Sequence, residues 1–289
     1  MIIYIDGEFL EEKDAKISVL DHGYLYGDGV FEGIRTYDNR VFKLDEHLHR
    51  LYDSAKAILL QVPLSFDELK KATVETCRRN ACANGYIRLV VSRGAGSLGL
   101  GPDRCPKASV VIIAANIELY PEKYYREGLK VITGGTRRLS WNAFSPTVKS
   151  LNYLNNIMAK VEGMRAGAQE TLMLNEQGLV AECSGDNIFA IKKNKITTPP
   201  IWAGALAGIT RDVVMKLSAE MGLPVEETNM TRYDLYVADE IFLTGTGAEV
   251  VPVVDLDSRV IGDGKPGPIT RKITERYHAI TRSEGTPIG

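Results

Sequence analysis

The chain has 289 residues, 25% of them charged, and a formal net charge of -2 at pH 7. This near-neutral balance excludes the strongly basic surface of a nucleic-acid-binding protein and the polybasic patch of a membrane-surface protein. No apolar run approaches the roughly 20 residues that span a bilayer, and no basic segment followed by an apolar one opens the chain. We therefore expect a cytoplasmic protein of one large or two medium domains that acts on small molecules.

The cysteines and histidines show no metal-binding pattern. The cysteines lack both paired metal spacing and the density of a disulfide scaffold, so we expect buried thiols. They are Cys77, Cys82, Cys105 and Cys183. His47 and His49 are two apart on a predicted helix and therefore point to different faces, which argues against a shared metal ion.

The chain opens with strand and turn patterns. Residues 2–5 with Asp6-Gly7 predict the start of a hairpin. In the glycine-rich segment 23–42, Asp38-Asn39 is a plausible turn between two short strands. Glycines weaken a strand unless a ligand or another backbone approaches closely. The segment is therefore either a binding wall or a glycine-rich bend packed on aromatic residues.

Two amphipathic helices and a strand are predicted next. Asp45 is expected to cap the first helix, and Ser65 begins a capping box for the second, which runs to about Asn80. The strand at 86–92 alternates cleanly and places Arg88 on the same face as a tyrosine. That arginine is either a ligand contact or a charge on an edge strand.

The segment after this strand matches a nucleotide-binding motif in its glycine spacing but not in the elements that surround it. The glycines within 94–99 satisfy G-x-G-x-x-G, and Glu118 follows about twenty residues later, as a dinucleotide site requires. A helix should begin there, but 100–107 is short and broken by prolines before the next strand at 108–115. We therefore expect a surface loop that lines a pocket.

The second half begins at a predicted connection between two domains, 116–125. A strand is expected at 129–133, and a helix ends at Gly167. Two hairpin-like segments, 170–183 and 187–198, come after that helix.

Lys149 lies just before that helix. Ser145-Pro146 predicts extended backbone before the lysine, and apolar residues at helical spacing follow it from Leu151 to Val161. A lysine amine attacks a carbonyl only when partial desolvation or a nearby cation favours its neutral form. This segment alone favours an ordinary solvated lysine near a helix start, and other segments must overturn that interpretation.

Glu182 is the charged residue in an otherwise apolar strand, 178–183. A carboxylate in that position must meet a cation or strong donors, or else its pKa rises and it takes up a proton. The alternative is an exposed strand end.

Two turns are suited to binding anions. The helix that opens at 206–212 has free backbone amides at its N-terminus, and the Thr210 hydroxyl lies beside them. The turn 244–249 follows an apolar strand, and its glycines allow successive amides to face one ligand. Together they suggest a ligand with more than one anionic group. The C-terminal helix, from Pro268 to about Arg282, is expected to be structural.

Seven ordered segments resemble the fold-type IV pyridoxal-phosphate enzymes, and within them the branched-chain amino acid aminotransferases. They are VFEGIRTYDN (30–39), EHLHRLYDSA (46–55), YIR (86–88), KSLNYLNN (149–156), AECSGDNIF (181–189), LAGITRD (206–212) and FLTGTGAEV (242–250). The resemblance covers nearly the whole chain. It implies an α+β fold of two α/β domains joined by an interdomain loop, a small domain at 1–120 and a large cofactor-binding domain at 121–289.

The resemblance also implies roles for individual residues. Lys149 is similar to the lysine that bonds covalently to pyridoxal 5'-phosphate and carries the substrate's proton, and Glu182 to the carboxylate that pairs with the ring nitrogen. The other implied cofactor-binding residues are Arg50, Tyr153, Leu206, Gly208, Ile209, Thr210 and Thr246. The implied substrate-binding residues are Tyr26, Phe31, Gly33, Tyr86, Arg88, Gly247 and Ala248.

Two positions depart from the family pattern. Tyr153 lies four residues after Lys149, whereas many branched-chain members place their tyrosine five after. Gly247 stands where an alanine is common in that turn.

The activity implied is ping-pong transfer of the amino group from L-leucine, L-isoleucine or L-valine to 2-oxoglutarate, without a metal ion. The resemblance suggests a homodimer or higher homo-oligomer in which Tyr26 and the 98–101 loop complete the partner's pocket. D-amino acid aminotransferases and aminodeoxychorismate lyases are the rivals in the same family. The segment 31–35 together with Tyr86-x-Arg88 favours the branched-chain reading. A nicotinamide oxidoreductase is the alternative of a different class.

Overall fold

The structure is a computed structural model that describes residues 1–116 and 120–289. Its strands are β1 (Ile2–Ile5), β2 (Glu8–Glu11), β3 (Gly29–Tyr37), β4 (Arg40–Val41), β5 (Tyr86–Ser92), β6 (Ser109–Ala115), β7 (Leu129–Thr133), β8 (Glu170–Leu174), β9 (Val180–Cys183), β10 (Asn187–Lys192), β11 (Lys195–Thr198), β12 (Val225–Glu227), β13 (Glu240–Gly245), β14 (Glu249–Leu256), β15 (Arg259–Val260) and β16 (Thr286–Pro287). Its helices are α1 (His22–Tyr26), α2 (Leu44–Ala57), α3 (Phe66–Arg79), α4 (Glu122–Glu127), α5 (Leu154–Arg165), α6 (Ile209–Glu220), α7 (Arg232–Tyr236) and α8 (Pro268–Ser283). The fold is α+β, as predicted.

The chain packs into two compact units. The first comprises Met1–Glu118, Val148–Asn152 and Thr281–Gly289, and the second comprises Leu119–Thr147 and Tyr153–Ile280. The short stretch that carries Lys149 therefore packs with the first unit, although its neighbours along the chain on both sides belong to the second. The division into domains at residue 120 stays a prediction.

The sheet of the first unit is antiparallel, with strand order β16-β4-β3-β5-β6-β1-β2 over the described residues. The predicted opening hairpin is confirmed, because β1 and β2 pair across Asp6 and Gly7, whose φ values are 50° and 107°. The predicted turn between β3 and β4 is also confirmed. Its residues Asp38 and Asn39 have φ values of 46° and 61°, the left-handed pair that matches the twist of a tight hairpin.

Helices α2 and α3 pack on this sheet. The capping box of α3 is confirmed, with Ser65 and Glu68 bonding to each other's backbone amides. The predicted cap of α2 is wrong. The residue before the helix is Lys43, with φ 51° and no side-chain cap, and Asp45 lies in the first turn, where its charge favours the helix dipole. The largest fully buried side chains of this core include Ile34, Leu48 and Leu89.

The loop after β5 is not a nucleotide-binding turn. Its only helical stretch among the described residues is a short 3-10 turn, Pro102–Arg104. At Gly94, where φ is 89°, an added Cβ would lie 1.9 Å from the Lys107 carbonyl oxygen, so this glycine serves backbone packing within the loop. Glu118, the acidic residue of the rejected motif, lies outside the described residues.

The second unit contains a mixed sheet with strand order β12-β11-β10-β13-β14-β7-β8-β9 and β15 on β14, counted over the described residues. The pairs β11–β12, β7–β14 and β7–β8 are parallel, and the other pairs are antiparallel. The two predicted hairpins and the C-terminal helix are confirmed. The predicted connection at 116–125 includes 117–119, outside the described residues, and the start of α4, which the sequence did not predict.

Helix α5 has an exposed apolar face. The apolar residues that predicted this helix are largely exposed, with Leu154 at 69%, Ile157 at 52% and Met158 at 49%. The buried side is formed instead by Asn156, Ala159 and Gly163, against β8. Small residues allow close approach of the helix to the sheet, so the helix was predicted correctly but its buried face was not.

Three of the predicted buried thiols are buried, namely Cys77, Cys82 and Cys183, whereas Cys105 is half-buried in the loop before β6. No described helix is long and apolar enough to cross a membrane.

Candidate active site

Lys149 is held along strand β3 by its backbone. Its carbonyl accepts a hydrogen bond from Phe31 N at 3.0 Å, and its N–H donates to Ser54 Oγ at 3.2 Å. Ser150 forms a bridge with Val30, and Leu151 N donates to Gly29 O at 2.9 Å. These contacts fix the origin of the lysine side chain on the first unit although Lys149 is in no regular element.

The Phe31 ring contacts two cations. Lys149 Nζ lies 4.5 Å from the ring centroid, and Arg88 Cζ lies at the same distance, 4.5 Å. Arg88 also lies 5.4 Å from the Tyr86 ring centroid. Both distances to Phe31 fall within the range in which an aromatic face attracts a cation. Three residues predicted from separate segments, Phe31, Arg88 and Lys149, are therefore neighbours.

Gly33 makes room for Tyr86. Gly33 pairs with Arg88 across the β3–β5 ladder, and the Tyr86 ring reaches diagonally over the glycine. An added Cβ at Gly33 would lie 1.9 Å from Tyr86 Oη and 2.7 Å from its Cζ. The glycine therefore leaves the space that the Tyr86 ring occupies, and a side chain at this position would displace the ring.

Arg50 forms a buried network with two residues that the sequence did not assign to the site. Its Nε and Nη2 donate to the two carboxylate oxygens of Glu32 at 2.7 and 2.8 Å. His47 Nδ1 lies 2.7 Å from Glu32 Oε2. Although burial alone would raise it, the pKa of Glu32 is well below its usual range because Arg50 and His47 favour the ionised form. Burial lowers the pKa of His47.

Tyr26 and the 98–101 loop lie together on the first unit. Gly99 N donates to Tyr26 Oη at 3.1 Å, and the Tyr26 ring packs edge-on against His22. Leu98 and Leu100 of this loop are 67% and 80% exposed.

Glu182 lies in the second unit and is 4% exposed. Its Oε1 lies 2.7 Å from Arg138 Nη2, and its Oε2 accepts hydrogen bonds from Asn187 Nδ2 at 3.1 Å and Leu206 N at 2.9 Å. The expectation that this carboxylate meets a cation and strong donors is confirmed. Arg138 is itself held by Asn156 Oδ1, to which Nη1 donates at 2.8 Å.

Helix α6 begins three residues after Leu206, whose backbone N–H bonds Glu182. Gly208 is the N-cap and provides no side-chain hydrogen bond, so no cap side chain covers the amides of the first turn, where Ile209 and Thr210 begin the helix. An added Cβ at Gly208 would lie 2.0 Å from Asn187 Oδ1. Asn187 also donates to Leu206 O at 3.0 Å, which fixes the segment just before the helix.

The turn 244–249 is a hairpin between β13 and β14, with Gly245 paired to Glu249. Thr246, Gly247 and Ala248 form its tip, and Ala248 is buried. The left-handed residue of this turn is Glu249, with φ 57°. That the glycines allow successive amides to face one ligand stays a prediction. Glu249 is anchored by a 2.9 Å contact to His278 Nε2.

Tyr153 is the N-cap residue of α5 and belongs to the second unit, whereas Lys149 belongs to the first.

No group of three or more histidine, cysteine or acidic residues suited to a metal ion occurs in 1–116 and 120–289.

The chain matches the model of the family Amino-transferase class IV over residues 29–256. It belongs to the class IV aminotransferases. The branched-chain-amino-acid aminotransferase of Pseudomonas aeruginosa is 41% identical over 282 residues, with 96% of this chain and 91% of that protein covered.

Solved structures agree with this family. The branched-chain amino acid aminotransferase of Escherichia coli superimposes with a TM-score of 0.95 at 35% identity, over 98% of this chain and 95% of that one. A branched-chain amino acid aminotransferase of Thermoproteus uzoniensis with norvaline gives a TM-score of 0.92 at 40% identity, over 98% and 95%. A further branched-chain amino acid aminotransferase, complexed with N-(5'-phosphopyridoxyl)-L-glutamate, gives a TM-score of 0.92 at 38% identity, over 98% and 94%. The resemblance drawn from the seven segments is therefore confirmed.

The residues of this class IV aminotransferase fit pyridoxal 5'-phosphate. In the second unit, a buried carboxylate bonded to Leu206 N precedes a helix N-terminus that begins at Ile209. That donor set suits a protonated ring nitrogen and a phosphate on one molecule. Within the first unit, the amine of Lys149 and the guanidinium of Arg50 are groups suited to an aldehyde and to a phosphate.

Sequence reasoning missed three polar partners in this aminotransferase. Glu32 shares its strand face with the fully buried Val30 and Ile34, which is the same signal that identified Glu182. For His47, the sequence raises only the question of a metal ligand, through its spacing from His49. Arg138 follows another arginine in a segment without periodicity, and nothing in the sequence distinguishes the two.

Proposed function

We propose that this chain is a pyridoxal-phosphate-dependent transaminase that moves the amino group of L-leucine, L-isoleucine or L-valine to 2-oxoglutarate. The observation that carries this proposal is its full-length likeness to branched-chain aminotransferase structures, one of them complexed with N-(5'-phosphopyridoxyl)-L-glutamate. That ligand joins a phosphopyridoxyl group to L-glutamate, which is the amino acid formed when 2-oxoglutarate accepts an amino group.

Lys149 would hold the cofactor covalently through Nζ. When bound, the cofactor supplies an electron sink for the negative charge left when the substrate's α-proton departs. Once the substrate's amine has replaced it, Lys149 would move a proton to and from the substrate's Cα. The hydrogen bonds from Phe31 and to Ser54 support this role, because they fix the backbone from which the side chain reaches.

Glu182 would keep the ring nitrogen protonated. Its bonds to Arg138, Asn187 and Leu206 N leave the carboxylate oriented and ionised in a buried position. The phosphate would bind the N-terminal amides of α6 with the Thr210 hydroxyl and Thr246, and Arg50 would add a positive charge. Gly208 and Leu206 would lie beside the ring, and Tyr153 would donate to the cofactor's 3-oxygen.

The substrate side chain would lie against Phe31 and the backbone of Gly33. A buried methylene contributes about 0.8 kcal/mol on such a surface, so branched side chains should bind better than short ones. The α-carboxylate would bind the amides of Gly247 and Ala248. Arg88 and Tyr86 would bind the γ-carboxylate of glutamate, and the contact of Arg88 with the Phe31 ring supports such a double use of one wall.

We further propose a cytoplasmic homodimer, or a higher homo-oligomer, in which Tyr26 and the 98–101 loop complete the partner's pocket. The exposed leucines of that loop and its bond to Tyr26 Oη support this part of the proposal.

Enantiomer choice tests the proposed function. Purified enzyme loaded with cofactor is incubated with 2-oxoglutarate and either L-leucine or D-alanine, and the glutamate formed is resolved by chirality. L-glutamate from L-leucine, with little product from D-alanine, is the expected result. Because a D-substrate with the same α-proton position must exchange its carboxylate and side-chain sites, D-glutamate from D-alanine with inert L-leucine would overturn the branched-chain assignment. Pyruvate release from aminodeoxychorismate would favour a lyase.

A further inference from the structure

Glu32 is a fully buried carboxylate that none of the proposed cofactor or substrate contacts uses. It is 0% exposed, yet it lies on strand β3 next to Phe31, whose ring contacts Lys149 Nζ. A buried carboxylate is costly unless it is paired and hydrogen-bonded. Glu32 meets that requirement through Arg50 and His47, both on helix α2.

The pairing with Glu32 fixes how Arg50 is turned. Glu32 accepts from Nε and Nη2, the inner edge of the planar guanidinium. The outer edge, made by Nη1 and Nη2, therefore points away from Glu32 in a direction set by the rigid plane. Such an edge suits two oxygens of a phosphate group.

His47 fixes Glu32 in turn. Its Nδ1 lies 2.7 Å from Glu32 Oε2, and it is 2% exposed, so the imidazole has little freedom to turn away. Burial favours the neutral ring, and an ionised carboxylate accepts hydrogen bonds only. We assign the Nδ1 proton on this basis, so that His47 donates to Glu32.

We propose that Glu32, anchored by His47, is a positioning residue that directs the outer donor edge of Arg50 at the cofactor's phosphate. This inference rests on the proposed function, in which Arg50 binds that phosphate. It assigns Glu32 and His47 a role in phosphate recognition and none in the chemistry at the substrate's Cα.

The test compares pyridoxal 5'-phosphate with pyridoxal, which lacks the phosphate. Apoenzyme is titrated with each compound, and the visible absorbance of the Lys149 adduct gives Kd. Glu32→Gln should weaken pyridoxal phosphate about tenfold or more and leave pyridoxal within about twofold, because only the phosphate contact of Arg50 changes. Glu75→Gln is the matched control, because Glu75 also pairs with arginines, Arg78 and Arg79, but on an exposed helix face. It should change neither Kd.

A double-mutant cycle shows whether Glu32 acts through Arg50. Arg50→Ala alone should weaken pyridoxal phosphate selectively, and adding Glu32→Gln to it should weaken the affinity no further. Equal weakening of both compounds by Glu32→Gln, or additive effects with Arg50→Ala, would overturn the positioning role.

The Kd values distinguish a wrong positioning role for Glu32 from a wrong phosphate assignment for Arg50. If Arg50→Ala is selective and Glu32→Gln binds like the parent, only the positioning role is wrong. If Arg50→Ala does not affect pyridoxal phosphate selectively, the phosphate assignment itself is wrong, and the inference falls with it.

His47 provides a second variant should Glu32→Gln not fold. His47→Asn offers an amide N–H to Glu32, and its ratio of the two Kd values should match the parent. His47→Leu offers no donor and should reproduce the selective loss of pyridoxal phosphate. Equal ratios for the two His47 variants would contradict the anchoring role.

Discussion

Arg138 Nη2 lies 2.7 Å from Glu182 Oε1, and both side chains are buried within the second unit. A buried carboxylate paired with a guanidinium is stabilised in its ionised form. The other carboxylate oxygen is bonded by Asn187 and by Leu206 N, so the group is oriented as well as charged.

Glu182→Gln should therefore keep the fold but lose about a hundredfold or more in kcat/KM, about 2.7 kcal/mol of transition-state stabilisation, because an amide cannot keep a ring nitrogen protonated. Glu226→Gln, on an exposed strand where Glu226 pairs with Lys195, is the matched control and should match the parent. Steady-state kinetics with L-leucine at saturating cofactor give the answer. Near-normal turnover in Glu182→Gln would show that its assignment is wrong.

Lys149→Ala should abolish turnover and the visible absorbance of the cofactor-bound protein, while pyridoxal phosphate still binds noncovalently. The reason is that only an amine bonds to the cofactor's aldehyde carbon. The measurement is borohydride reduction followed by mass analysis of the protein. Lys56→Ala, at an exposed position of α2, should keep the reducible adduct. An adduct that survives in Lys149→Ala would mean that another lysine is the working one.

Gly33→Ala should raise KM for L-leucine and lower stability by about 1–3 kcal/mol, because the new methyl group overpacks the wall. Its Cβ would lie 1.9 Å from Tyr86 Oη, so the Tyr86 ring must move. Gly135→Ala, whose Cβ would lie 3.5 Å from its nearest neighbour, is the control. Kinetics and thermal unfolding of both variants check this prediction. An unchanged KM in Gly33→Ala would show that the surface formed by Phe31 and Gly33 does not bind the substrate.

Many strands and the longer helices could be predicted because alternation, capping boxes and turn residues are local signals. The hairpin at Asp38-Asn39 and the capping box at Ser65 are examples, and both match the structure. The burial of Glu182 could not be predicted, because its strand pattern fitted an exposed strand end as well. The cap of α2 was predicted wrongly because Asp45, which has the expected side chain, is the second residue of the helix, two positions after the N-cap Lys43.

Other features depend on contacts distant in sequence, which no local pattern reveals. Residues 148–152 pack with the first unit because Lys149 pairs with Phe31 and Ser54, more than ninety positions earlier. Arg138 reaches Glu182 from a loop without periodicity. The exposure of the apolar face of α5 could not be predicted for a related reason. Periodicity indicates which residues share a face but not which face is buried.

A pair of buried acidic residues in the second unit predicts a pH-dependent stability. Asp186 and Glu170 are both buried, and Tyr120 Oη lies 3.5 Å from an oxygen of each. Lys160 Nζ lies 3.1 Å from Glu170 Oε2 and only partly offsets the two charges. Burial, and then the Glu170 carboxylate, raise the pKa of Asp186 from its ordinary 3.8 to about 7.

Because the folded state binds this proton more tightly than the unfolded chain, the stabilisation by Asp186 is complete below pH 3.8 and is lost as the pH rises through about 7. Asp186→Asn should remove this dependence, so the parent should lose up to about 1.4 kcal/mol per pH unit relative to the variant within that window. Asp53→Asn, at an exposed position, should follow the parent. Urea unfolding of the cofactor-saturated proteins between these limits measures the difference. A parent and an Asp186→Asn variant with parallel pH profiles would show that Asp186 is ionised in the folded protein throughout.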